Sequence, residues 1–434
     1  MSDRGPRSPH ALSPLREHLR ETFWFAPALT LVVACVLWFA ASAVDERIVS
    51  YLHEEQAYDE INDLVAVAED TKQIVVTVSS AMMTFIGVVF SISLVAVQMA
   101  SGQLTPRVVR IFVRSRISKL TLSVFLATFV FSLLVLSSYE SETDPRRVTS
   151  LPFVQSVLTA VLVGLSLLLF IAYVSSTLRL LQIGPVLDHI TRDTFKVLGR
   201  MPAGRPAEGP LPDESGQILY EGRAGVLRDV NVARLVRAAR RQGVVLRLIP
   251  RLGDFAVPGT PVLAVHGGTA PARHALRYTV SVGVERTLHQ DLAFGLRQLS
   301  DIALRALSPA TNDPTTAVQC LDRIVQFLAA AVRLPLGTVH HRDRTGAVRL
   351  VQEVPSWEDL VDLGFEEVRR YGATAPQVSR RLLAGIDDLM RLAGPDRRGP
   401  LVRHRALLVQ AVEHAVPEAA EREFSLLPDR QGIG

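Results

Sequence analysis

The chain has 434 residues, 48% of them hydrophobic and 21% charged, and a formal net charge of +4. This length allows two or three domains. The small basic excess does not point to nucleic acid: the bases are almost all arginine, with lysine only at Lys72, Lys119 and Lys196, a bias typical of a GC-rich genome. The two cysteines, Cys35 and Cys320, lie far apart in the sequence and argue against a disulfide framework.

The hydrophobic excess is local and lies between Phe23 and Leu178. A helix needs about 20 apolar residues to cross the hydrocarbon layer. Four segments meet this requirement, at 24–44, 74–99, 120–138 and 154–178, and none contains Asp, Glu, Lys, Arg or His. As helices they would satisfy their own backbone hydrogen bonds, which lipid demands. The first has no small-x-small cleavage site and is expected to be a retained span rather than a signal peptide.

Loop charge predicts the orientation. The N-terminal tail, residues 1–22, carries Arg4, Arg7, Arg16 and Arg20, and the loop after the second span carries Arg107, Arg110, Arg114, Arg116 and Lys119 without an acid. Both are expected to be cytoplasmic, under the positive-inside rule. The segment after the first span is acidic, with Asp45, Glu46, Glu54, Glu55, Asp59, Glu60, Asp63, Glu69 and Asp70, and is expected to be an outer loop. Both termini are then cytoplasmic and the membrane is the bacterial inner membrane. Phe23, Trp24 and Phe25 would sit at the inner interface.

The second span carries a heptad seam of Thr77, Ser80, Thr84, Gly87, Ser91, Leu94 and Gln98, nearly all small or polar. Two readings stay open: a helix-packing face, where small and hydroxyl residues let backbones approach, or the wall of an uncharged pore formed around an oligomer axis. The spans lack the ionisable residues that proton-coupled pumps and voltage sensors need. Beyond the seam, Thr105 can cap a helix with Pro106 at its first position. That helix would lay Arg107, Arg110 and Arg114 on anionic headgroups; an ordinary basic loop is the alternative. In the fourth span Ala160 and Gly164 form a small-xxx-small pair, and its helix is expected to continue to about Leu198 with a break near Gly184-Pro185.

Residues 181–215 are expected to be a connecting helix and a Pro/Gly-rich linker. Residues 216–284 follow as a small α+β module: a strand at Ile218-Leu219-Tyr220, a helix capped by Asp229 or Asn231 and ended by Gly243, and strands at 244–249, 261–265 and 278–284. From Glu285 to Gly434 the pattern predicts helices, one of them N-capped by Asp313 with Pro314 following, and a frayed tail from Phe424. The fold class is therefore an α-helical polytopic membrane protein with four transmembrane helices in 23–180 and a cytoplasmic α+β and helical domain.

Phe294-Gly295-Leu296-Arg297, Asp301-Ile302-Ala303, Ala306-Leu307-Ser308-Pro309 and Asn312-Asp313-Pro314-Thr315-Thr316-Ala317 carry a family likeness. With the four spans, the Arg-rich loop and the turns at Gly253-Asp254-Phe255 and Pro258-Gly259, they resemble the bacterial domain-of-unknown-function 2254 family of predicted membrane proteins. The resemblance implies this architecture and no activity.

No phosphate loop, dinucleotide fingerprint, Cys-x-x-Cys, His-Glu-x-x-His or Gly-x-Ser-x-Gly occurs, so no enzyme, cofactor or metal is expected. His340, His341 and Asp343 cluster in sequence as a solvated turn or a weak metal site. His289 and Asp291 flank a helix start and fit capping. Ser308, Asn312, Asp313, Thr315 and Thr316 surround a helix N-terminus, where Asp313 disfavours an anion and leaves capping or cation binding. The expected partners are membrane lipids and further copies of the chain. The function expected is a passive ion or small-solute channel with a cytoplasmic vestibule, like small mechanosensitive channels only by analogy. The alternative is a non-conducting scaffold or envelope sensor whose cytoplasmic domain binds a protein.

Overall fold

The computed structural model describes residues 25–56, 58–103, 116–139, 151–201, 210–276 and 278–431. They fall into two compact units, one up to Gln182 and one from Ile183 onward.

The first unit is four helices: α1 (Phe25–Glu54), α2 (Tyr58–Gln103), α3 (Arg116–Ser137) and α4 (Phe153–Leu181). All four are long and apolar enough to cross a membrane. The acidic segment expected as a loop is instead helical on both sides of a short turn, where Gln56 takes a left-handed conformation (φ 57°). Nothing in Asp45–Glu54 breaks a helix, and Ser50 donates its hydroxyl back to the Glu46 carbonyl. Consequently α2 has 46 residues, or about 69 Å at the helical rise, against a hydrocarbon layer of about 30 Å. Inside the unit Phe85, Phe125 and Phe170 pack ring against ring, with centroids 5.5–6.4 Å apart. Phe131, Val135 and Ala127 of α3 pack against Ala34 of α1 and Val75 of α2.

Helix α4 stops at Leu181, Gln182 is extended, and α5 (Ile183–Leu198) begins at once. The break comes slightly ahead of Gly184-Pro185. Pro185 has no amide for the Leu181 carbonyl, so it ends one helix and is tolerated in the first turn of the next.

The second unit starts with α5, whose buried face is Val186, Leu187, Ile190, Thr194 and Val197. Then come β1 (Glu214–Leu219), β2 (Gly225–Val230), α6 (Val232–Gln242), β3 (Val245–Leu248), β4 (Phe255–Ala256), β5 (Pro261–His266), α7 (Arg273–Leu276) and β6 (Val280–Gly283). Asn231, not Asp229, caps α6, accepting from the Arg234 amide, and Gly243 closes it at φ 70°. Helices α8 (Leu292–Ala306) and α9 (Pro314–Ala331) follow, then β7 (Thr338–Arg342) and β8 (Val348–Glu353). The chain ends in α10 (Trp357–Gly372), α11 (Pro376–Leu392), a 3-10 turn (Pro395–Arg397), α12 (Arg398–Ala415) and α13 (Ala419–Ser425).

One five-stranded sheet has the order β1-β5-β3-β8-β7, and a three-stranded sheet has the order β4-β2-β6. Strands β7 and β8 correct the expectation of unbroken helix after Glu285. They form a hairpin whose turn is held by Asp343, which accepts from the Thr345 amide and hydroxyl and from Arg349. The Thr345 and Arg349 bonds hold the Asp343 carboxyl well below the usual carboxylate range. β8 then pairs in parallel with β3, about a hundred residues earlier, a partner that local periodicity cannot reveal. Residues 285–291 are also irregular rather than helical, and the tail is docked rather than frayed as far as Arg430: Ser379 donates to the Ser425 carbonyl, Arg380 to the Leu427 carbonyl and Arg430 to the Asp388 carboxylate.

The helical core of this unit joins Leu296 and Ile302 to Leu321, Phe327, Phe365, Leu382 and Leu408, all buried. Gly295 lets α5 approach α8: a Cβ there would lie 1.8 Å from Thr194 Oγ1. Phe195 meets Phe327 edge-on at 6.3 Å, and Arg323 reaches Asp188 at 2.6 Å.

Candidate functional site

Every residue of the α2 seam is exposed: Thr77, Ser80, Thr84, Gly87, Ser91, Leu94 and Gln98. A Cβ built at Gly87 meets no atom within 4 Å. The packing of α2 within its own chain uses the opposite face, where Val75, Ser79, Met82, Val89 and Ala96 are buried. Thr77 and Thr84 donate their hydroxyls back to the Gln73 and Ser80 carbonyls, at 2.9 and 3.4 Å. The seam is therefore not an intrachain packing face, and these two hydroxyls are partnered within α2. Ala160 and Gly164 of α4 are likewise exposed.

A second polar stripe faces inward and was not singled out in the sequence. Gln155, Thr159, Ser166, Tyr173 and Thr177 of α4 are buried, and they recur at steps of four and seven. Thr128 of α3 meets Ser166 at 3.1 Å, Ser79 donates to Ser132 at 2.7 Å, and Ser93 meets Tyr173 at 2.7 Å. Such contacts join helices in lipid, where polar groups have few other partners.

At the end of the unit remote from Phe25, the stripe meets a charge. Asp45 is 1% exposed, because α1 runs on past the apolar stretch and places it on the stripe of Ala34 and Ala41. Asp45 follows directly on the apolar stretch 24–44, which itself holds no Asp, Glu, Lys, Arg or His. Asp45 Oδ1 accepts from the Val154 amide at 2.8 Å and Oδ2 from the Gln155 amide at 3.3 Å. It thereby caps α4, whose own N-cap residue, Pro152, offers no side-chain bond. Gln155 is 0% exposed, and its side-chain amide approaches the Asp45 carboxylate. Around it, Tyr139 meets Ser156 at 3.0 Å and Lys72 lies over the Tyr139 ring.

The family model of a predicted membrane protein, DUF2254, matches residues 20–388, which takes in all four helices and most of the second unit. The chain belongs to the DUF2254 family. It is 30% identical over 374 residues to an uncharacterized protein of Mycobacterium bovis, covering 82% of this chain and 71% of that one. An uncharacterized protein of Mycobacterium tuberculosis is similar to the same extent. No solved structure matches. The DUF2254 chain is thus a membrane protein, mostly helical, with four apolar helices and a sheet-containing C-terminal part.

In the C-terminal part, the Ser308–Thr316 loop is closed by its own bonds. Asp313 caps α9, accepting from the Thr316 amide at 3.0 Å and hydroxyl at 2.6 Å. The Ser308 hydroxyl donates to the Arg305 carbonyl, and Asn312 supplies a left-handed turn at φ 46°. Asn312 and Thr315 are exposed. Asp291 caps α8 through the Phe294 amide and is gripped by Arg286 at 2.7 and 2.9 Å. His289 Nδ1 lies 3.5 Å from Asp229. His340 and His341 are neighbours on β7, so they point to opposite sheet faces, and His341 contacts Gln352 at 3.1 Å. Among the described residues no group of three His, Cys, Asp or Glu side chains could hold a metal. Cys35 and Cys320 are free, and burial pushes the Cys320 thiol up. Phe23, Trp24, Arg107, Arg110 and Arg114 lie outside the described residues.

Proposed function

We propose that this DUF2254 protein is an oligomeric, passive channel for ions or small solutes in the bacterial inner membrane. The α2 seams of several copies would face a common axis, the basic tail and Arg107–Arg114 would lie on the cytoplasmic side, and the C-terminal unit would form a vestibule there. One observation carries the reading. A continuous line from Thr77 to Gln98 is exposed and small or polar except at Leu94, while Val75, Ser79, Met82, Val89 and Ala96 on the opposite face are buried within the chain. A small hydroxyl line is a poor match for lipid tails and a good one for a second helix or for water.

The second reading, a non-conducting scaffold or sensor, is favoured by the Thr77 and Thr84 hydroxyls returning to their own helix. Residues bonded in that way do not require a wet pore. Two measurements separate the readings. Mass measurement in nanodiscs is expected to give a ring of copies; a monomer would remove the channel. Planar-bilayer conductance is expected to fall at least tenfold in Ser91→Leu and Thr84→Leu. Unchanged current in both variants would remove the seam from the pore wall.

A further inference from the structure

We propose that one end of the five-stranded sheet in the C-terminal unit is a docking surface for anionic phospholipid headgroups. Strand pairing brings two elements together there. Helix α6 ends at Gln242 and β3 begins at Val245. β3 pairs in parallel with β8, Leu246 beside Leu350, and β7 pairs with β8, Arg342 beside Val348. The α6 C-terminus and the β7–β8 turn therefore share one end of the sheet, and the Arg349 guanidinium donates to the Val244 carbonyl across it at 3.5 Å.

Arg237, Arg240 and Arg241 of α6 and Arg342 and Arg344 of the hairpin are all exposed at this end. Among the described residues none of them is paired with a carboxylate; Arg237 and Arg342 donate to the Ala233 and Gly346 carbonyls. Asp343, the acid in the turn, is held by Thr345 and Arg349. Glu214 stands at the same end, but on β1, at the opposite edge of the sheet from β7. By contrast Arg247, Arg297, Arg381 and Arg403 each grip an Asp or Glu, as arginines that hold a fold together do. Arg240 and Arg241 also complement the carbonyl end of α6, but Arg342 and Arg344 stand on no helix.

The occupant follows from what the patch lacks. No large apolar side chain in 231–248 or 338–349 is exposed. A protein partner would need an apolar or aromatic core to its interface, and single-stranded nucleic acid would need aromatic platforms. Charge without an apolar anchor fits a fluid layer of phosphates, which guanidinium groups bind through paired N–H donors. The unit follows membrane helices in the same chain, so such a layer is at high local concentration. The surface stands whether or not the protein conducts.

The test uses the full chain in nanodiscs. Gln242→Cys, in a Cys35→Ser background, carries a fluorescent donor beside the arginines, and the acceptor is a headgroup-labelled lipid. Energy transfer is expected to rise about twofold when phosphatidylglycerol replaces about a third of the phosphatidylcholine, and to fall back as salt is raised. Arg240→Gln, Arg241→Gln, Arg342→Gln and Arg344→Gln combined are expected to abolish the rise, and the same four positions changed to Lys to keep most of it. Arg333→Gln, at an exposed arginine ahead of β7, leaves it unchanged. If the Gln variant does not fold, the wild-type response to phosphatidylglycerol and salt decides. Equal transfer in the two lipids overturns the proposal. So does a full response in the folded Gln variant, or a loss in it of duplex-DNA binding in place of the lipid response, which would make the occupant nucleic acid.

Discussion

The starts of α4 and α9 both rest on an aspartate, and the two are built differently. At α9 the cap is Asp313, adjacent in sequence to the Pro314 that opens the helix, and the surrounding loop is exposed. At α4 the cap is Asp45, which reaches the Val154 amide from 109 residues away, while Leu151 and Pro152 are buried. The difference follows from solvent. Uncapped amides at α9 could turn to water; those at α4 have no water and need a charge brought in by another helix.

Removing each cap sharpens the contrast. Asp45→Ala leaves two buried donors without partners and is expected to destabilise the membrane unit by about 2–5 kcal/mol, read as the shift in a reversible SDS unfolding titration. An effect no larger than that of Asp313→Ala would break the comparison. Asp313→Ala is expected to cost about 1 kcal/mol, and Asp313→Asn, which keeps the acceptor, only a few tenths. Chemical denaturation followed through the C-terminal unit would check both. A loss as large in Asp313→Asn would show that the charge, rather than the acceptor, matters there.

The C-terminal unit has a buried titratable group of its own, which extends the contrast to pH. His404 is 2% exposed, with Nε2 2.8 Å from Asp362. Burial holds its pKa below the usual histidine value; Asp362 opposes this, while Arg369 and Arg403 reinforce it. The folded state therefore prefers neutral His404. Its contribution is fully present above the unfolded histidine pKa and is lost as pH falls through that range towards the lowered folded value. Unfolding midpoints measured from pH 7 down to pH 5 should drop less in His404→Leu than in wild type. A parallel drop in both would assign the acid response to other groups.

Much of this was legible before folding. The four spans follow from apolar length, the caps at Asn231, Asp291 and Asp313 from short-range side-chain geometry, and the α4–α5 break from Pro185. The β7–β8 hairpin was not, because β8 is defined by its parallel pairing with β3. The role of Asp45 is hidden in the sequence because the apolar run stops just before it, although the buried stripe Ala34, Ala41, Asp45, Val49 carries on along the same helix.

Sequence alone determined that lipid surrounds the first unit and that α2 carries a polar seam, since apolar length and periodicity are local properties; the α4 stripe emerged only with the burial of Gln155, Thr159 and Ser166. Sequence could not say which of the two faces inward. Tertiary structure decided that: α4 turns Gln155, Thr159 and Ser166 into the bundle, while α2 leaves Thr77 through Gln98 outside. Two stripes of similar chemistry take opposite environments because helix packing depends on the partner's surface as much as on the helix's own.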